Sequence, residues 1–131
     1  MLFEDRAKNA IKAIPRGKVT TYAQIAALAG NYRAVRQVVR VLHSSSDKDR
    51  LPWHRVINSR GGISLKPGRG FEEQKRLLLE EGVYVDRLGG VDLEVFQWEP
   101  GDLRFRAAKK FLRGLTQTNT PDGQDRRRKK R

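Results

Sequence analysis

Apolar residues recur at helical spacing in several blocks of this chain. Phe3, Ala7, Ala10, Ile11 and Ile14 predict an amphipathic helix over residues 2–14, with Lys8 and Lys12 on its outer side. Pro15-Arg16-Gly17-Lys18 ends it in a turn, and Val19-Thr20 is a short extended link. Thr21 and Gln24 form a Thr-x-x-Gln capping box that starts a second helix at Tyr22, and Gly30 closes it as a left-handed cap. A third helix is predicted from Tyr32 to Leu42 or His43. Ala34, Val35, Val38, Val39, Val41 and Leu42 form its apolar side, and Arg33, Arg36 and Arg40 lie opposite. Two short helices joined by Gly-Asn, the second carrying an arginine stripe, read as a helix-turn-helix or as a plain helical hairpin with solvated arginines.

The second half alternates shorter segments. His43 to Asp49, through Ser44-Ser45-Ser46, reads as a polar loop. Arg55–Ile57 and Ile63–Leu65 are placed to pair as a hairpin around the turn Asn58-Ser59-Arg60-Gly61-Gly62. Lys66-Pro67-Gly68-Arg69-Gly70 is a loop, either a lid or a plain connection. Phe71 to Glu81 is a helix with Leu77 and Leu78 inward, stopped by Gly82. Val83–Val85 and Val91–Leu93 suggest a terminal hairpin, with Trp98 covering the core. The fold class is α+β: a small, mostly helical domain over residues 1–100 with short β-hairpins. Beyond it, Phe105, Ala108, Phe111, Leu112 and Leu115 predict a basic amphipathic helix over 101–115. Residues 116–131, almost free of apolar side chains and ending Arg-Arg-Arg-Lys-Lys-Arg, are expected to be a disordered basic tail.

Composition narrows the function. No run approaches the ~18 apolar residues of a membrane span, and Met1 to Ile14 is too charged for a signal peptide, so a soluble intracellular monomer is expected. The absence of cysteine excludes a disulfide framework, a thiolate zinc site and a thiol nucleophile. Neither cofactor nor metal is expected. Net charge is +13; residues 103–131 hold 11 Lys/Arg against 2 Asp, and residues 1–102 hold 17 against 13 acids. No acid occurs between Asp5 and Asp47, whereas Arg6, Lys8, Lys12, Arg16, Lys18, Arg33, Arg36 and Arg40 all do. A solvated helix face normally mixes both signs, so this acid-free segment favours contact with phosphates.

The densest chemistry is Leu51-Pro52-Trp53-His54-Arg55-Val56-Ile57. Pro52 presets its own φ and biases Leu51 towards extended geometry, so the side chains that follow leave a fixed point and can be aimed. Composition alone also allows Trp53 to be core and His54 and Arg55 to be incidental surface. Pro-Trp-His-Arg-Val-Ile, however, resembles the Pro-Cys-His-Arg-Val signature of the O6-alkylguanine-DNA alkyltransferases, with Trp53 in place of the acceptor cysteine, as in the alkyltransferase-like proteins. The resemblance runs from Ile14 to Trp98 and includes Tyr22 to Leu42 and Leu77 to Gly82.

That resemblance implies the family's small DNA-binding domain with a winged-helix-like helix-turn-helix, and a non-enzymatic function. It implies a sensor that flips O6-alkylguanine out of duplex DNA and marks it for nucleotide excision repair proteins. Its DNA-contacting set would be Tyr22, Asn31, Arg33, Ala34, Arg36, Gln37, Arg40, Ser59 and Arg60. Arg36 matches the arginine finger that fills the vacated stack, and Tyr22 matches the tyrosine that turns the nucleotide outwards. The lesion pocket would comprise Trp53, His54, Arg55, Val56, Lys66 and Glu81, with Glu81 orienting His54 and main chain near Trp53 and Val56 reading the guanine edge. Three departures stand out. Lys66 replaces an arginine of the alkyltransferase-like proteins and cannot stack as a planar guanidinium does, although Arg69 is close in sequence. Ser45 replaces the asparagine of the histidine's hydrogen-bonded set, and Val39 and Arg40 are bulkier than the small residues usual there. The location expected is cytoplasmic, on the nucleoid of a bacterium, or in the nucleus of a eukaryote. Rival readings are a sequence-specific helix-turn-helix regulator and a hydrolase using His54 and Glu81.

Overall fold

The computed structural model describes residues 2–100. Three helices come first: α1 (Phe3–Ala13), α2 (Tyr22–Leu28) and α3 (Val35–Asp49), with a two-residue strand β1 (Thr20–Thr21) leading into α2. A 3-10 turn over Trp53–Arg55 runs directly into β2 (Val56–Ile57), followed by α4 (Phe71–Glu80) and the single turn α5 (Leu93–Phe96). The basic extension after Pro100, expected as a helix and a tail, lies outside the described residues.

The capping box on α2 forms as its sequence requires, with Thr21 Oγ1 accepting from Gln24 N at 3.1 Å and Gln24 Oε1 accepting from Thr21 N. Gly30 leaves α2 at φ +106°, the left-handed conformation that a Cβ would resist. α3 starts three residues later than its apolar pattern suggests, because Tyr32-Arg33 is folded into a turn by Asn31, whose Oδ1 accepts from Arg33 N at 3.0 Å. It also runs on through the serines expected in a polar loop. Ser44 and Ser46 donate their hydroxyls to the carbonyls of Arg40 and Leu42 one turn back, Ser45 is buried, and Arg50 ends the helix at φ +53°. Val39 lies on the outer face of α3, not the apolar one.

Two clusters form the core. Ala7, Ile11, Ile14, Ile25, Ala26, Ala29, Val38, Val41, Leu51 and Val56 join the first three helices, with Trp98 packed at the margin. Val19, Ile57, Leu78, Val83, Val85 and Val91 form the second. β2 separates them: its alternating side chains send Val56 into one and Ile57 into the other. Buried on both faces, β2 pairs in parallel with β1 in a two-stranded sheet, Thr20 opposite Val56 and Thr21 opposite Ile57. The expected hairpin with Ile63–Leu65 is not made, because residues 61–63 pair with residues 89–91 instead, Ile63 N donating to Gly89 O at 3.0 Å, although its turn forms, with Asn58 N donating to Gly62 O at 2.9 Å. The second turn forms too, through Asp86 N to Gly90 O, but the anticipated Val83–Val85 and Val91–Leu93 ladder is not made: Gly90 bridges Gly62 instead, and Asp92 caps α5 and diverts the chain into a helix.

Candidate nucleic-acid interface

Pro52 opens the 3-10 turn, and the turn consumes its own main-chain donors: Trp53 N bonds Leu51 O at 2.8 Å, Arg55 N bonds Pro52 O at 3.0 Å, and Val56 N bonds Trp53 O. Trp53 is thereby held half-buried, its ring edge-on to His54 with centroids 6.1 Å apart. His54 Nε2 lies 2.7 Å from Glu81 Oε2. Arg55 grips the same carboxylate through Nε at 3.0 Å and Nη2 at 2.7 Å, and gives Nη1 to Ile14 O at 2.8 Å. Gly17 N adds a bond to Glu81 Oε1 at 3.0 Å. Burial of Glu81 works against its charge, but the bonds from Arg55, His54 and Gly17 outweigh it and hold the carboxyl at about 2. A carboxylate shared among three partners and neutralised by a guanidinium is a poor proton relay and a good brace. It ties the signature turn, the end of α1 and the end of α4 to one point. Ser45, expected to complete this set, points elsewhere: its hydroxyl meets Ser44 Oγ at 3.5 Å inside α3.

Tyr22 sits at the first position of α2, half-buried, its phenol pushed up by burial against the opposing effect of a hydrogen bond with Ser64. Asn58 Nδ2 donates to Ser64 Oγ at 3.2 Å, and Asn58 Oδ1 accepts from Arg60 N and Gly62 N at 3.0 Å each. The exposed pair Ser59-Arg60 thus rides on a turn held by the Asn58 side chain, which also ties it to Ser64 beside Tyr22. Neither Asn58 nor Ser64 was singled out by sequence, and an Asx-turn pattern before Gly-Gly was the available signal.

The arginines of the third helix divide. Arg36, Gln37, Val39 and Arg40 are exposed on one side of α3, with Val39 43% exposed between the two cations. Arg33 precedes the helix and lies over the Tyr32 ring at 5.6 Å, while Asn31 spends its side chain on the turn. Ala34 is buried at the N-cap and offers no side-chain cap to the first turn. Lys66 and Arg69 are both exposed in the loop before α4, where Glu72 accepts from Gly68 N at 2.9 Å.

A helix-turn-helix beside a braced Pro-Trp-His-Arg turn is matched by the sequence pattern of the 6-O-methylguanine DNA methyltransferase DNA-binding domain over residues 2–83. The chain belongs to this family, as an alkyltransferase-like member. It is 46% identical over 96 residues to the DNA base-flipping protein of Escherichia coli (strain K12), covering 73% of this chain and 74% of that one. Alkyltransferase-like protein 1 of Schizosaccharomyces pombe is 40% identical over 103 residues, covering 75% of this chain and 95% of the relative. The fold agrees with a crystal structure of S. pombe Atl1 in complex with damaged DNA containing O6-carboxymethylguanine, with a TM-score of 0.66, 40% identity and coverage of 75% and 95%. In this alkyltransferase-like chain the acceptor position is an indole, and no thiol exists elsewhere to replace it.

Proposed function

We propose that this protein is a non-enzymatic sensor of O6-alkylguanine in duplex DNA, which turns the damaged base into a pocket walled by Trp53 and so marks it for nucleotide excision repair. The observation that carries this reading is Trp53 at the acceptor position of a fully braced signature turn in a chain without cysteine. Relatives that flip bases or hold O6-carboxymethylguanine DNA support it. Flipping costs a few kcal/mol, and Arg36 on the outer face of α3 is placed to offset part of that by filling the vacated stack. Tyr22 crowds the phosphate; Arg33, Gln37, Arg40, Ser59 and Arg60 contact backbone, with Asn31 and Ala34 shaping the approach. Inside the pocket, Trp53 offers an apolar wall to the alkyl group. His54, Arg55 and Glu81 keep the turn rigid, main chain near Val56 faces the guanine edge, and Lys66 or Arg69 lies over the base. The sensor acts wherever its host keeps DNA, on a nucleoid or in a nucleus.

Matched duplexes carrying guanine or O6-methylguanine, titrated in several sequence contexts, test this directly. Binding should favour the alkylated duplex in every context, and the recovered oligonucleotide should retain its alkyl group after long incubation. Loss of that group would make the chain an enzyme. A preference that followed sequence context and ignored the lesion would make it a helix-turn-helix regulator.

A further inference from the structure

α4 turns an unusual stripe inward. Gln74, Leu78 and Glu81 follow one another at i, i+4 and i+7, so they occupy one side of the helix. Gln74 is 2% exposed and the Glu81 side chain 5%, leaving Leu78 as the only apolar member of the three. A leucine at position 74 would fill similar space without the cost of burying an amide, so the amide needs a reason. It has one: Gln74 Nε2 lies 3.1 Å from both His54 O and Val56 O. Glu81, about 10 Å further along the helix, takes the side chains of His54 and Arg55. One helix therefore grips the same three-residue segment twice, main chain at one end and side chains at the other.

We propose that Gln74 is a positioning residue for lesion recognition, an inference that rests on the sensor function proposed above. By holding the carbonyls on either side of Arg55, it sets the peptide planes of the signature turn. That aims Trp53, which precedes them, and fixes the direction of the Val56 carbonyl. Glu81 cannot do this alone, because its bonds reach only the side chains of His54 and Arg55; the turn's own bonds hold N–H groups such as that of Arg55, and Gln74 holds the carbonyls.

The test replaces the amide by Gln74→Leu in the full chain, with Gln74→Met as the second variant should leucine pack poorly. Leu78→Ala serves as a control that loosens the same helix without touching the carbonyls. Loss of the amide's bonds should lower the affinity ratio for O6-methylguanine over guanine duplex about tenfold, leaving plain-duplex affinity nearly unchanged. Leu78→Ala should lower Tm at least as much yet preserve the ratio. In the free protein, the Trp53 indole N–H resonance should be single in the wild type and broadened or split in the Gln74 variants. An unchanged indole signal, or a ratio that falls equally in Leu78→Ala, would reduce Gln74 to a structural residue. Should the wild type itself show no lesion preference, the sensor reading would fail, and the indole signal would still decide whether Gln74 aims Trp53.

Discussion

Three arginines near the start of α3 carry the same charge in different settings. Arg33 is folded over Tyr32 ahead of the helix, whereas Arg36 and Arg40 stand on its exposed face one turn apart. A purely electrostatic interface would make alanine substitutions at all three alike. A wedge would not. Arg36→Ala should abolish the fluorescence rise of 2-aminopurine at the flipped position, whereas Arg33→Ala and Arg40→Ala should keep that signal and each reduce the log–log salt slope of binding by about 0.9. Equal losses from all three, without unstacking by the wild type, would count against flipping. Sequence placed Arg36 and Arg40 correctly because helical spacing alone separates outward from inward positions. It misplaced Arg33, since the Asn31 side chain, and not apolar periodicity, decides where this helix begins.

At the level of elements, Glu81 fastens three segments that meet nowhere in sequence: the turn at Gly17, the signature turn and the end of α4. Its carboxyl is lowered from 4.5 to about 2, so the ionised form is the one that the fold stabilises. That stabilisation is present in full above the unfolded value near 4.5 and is lost as pH falls through about 2. At about 1.4 kcal/mol per unit, it amounts to on the order of 3 kcal/mol. Thermal unfolding should therefore show Tm dropping between pH 4.5 and 2, and Glu81→Gln should lower Tm at neutral pH while flattening that drop. Parallel melting curves for both proteins across the window would show that Glu81 is not the group responsible. Leu77 to Gly82 marked the end of α4 in sequence, and the family resemblance already paired Glu81 with His54, but the added grip by Gly17 N and the bidentate Arg55 emerged only from the tertiary structure.

For the molecule as a whole, charge is unevenly distributed. Residues 103–131 contribute +9 of the net +13, with 11 Lys/Arg against 2 Asp. It should supply affinity without selectivity, because phosphate contacts position a protein but do not specify a base. Truncation after Pro100 should weaken binding to damaged and plain duplex by similar factors, and the log–log salt slope should shrink by about 0.9 for each phosphate that the extension had neutralised. Collapse of lesion preference alone would place the extension at the lesion.

Local and periodic features were determined by the sequence itself: α1, the capping box, the Gly30 exit, α4, the exposed cations of α3 and the family signature are all set by neighbours within a turn or two. The parallel pairing of β2 with β1, the helical course of Ser44–Ser46, the arrival of Gly17 and Arg55 at Glu81 beside the expected His54, and the amide of Gln74 were decided only by the tertiary structure. Each depends on partners well removed in sequence or on burial that a polar residue does not announce. Val56–Ile57 could have paired across its own turn, but burial in two apolar clusters, one on each face, and pairing with β1 come from residues far away in sequence.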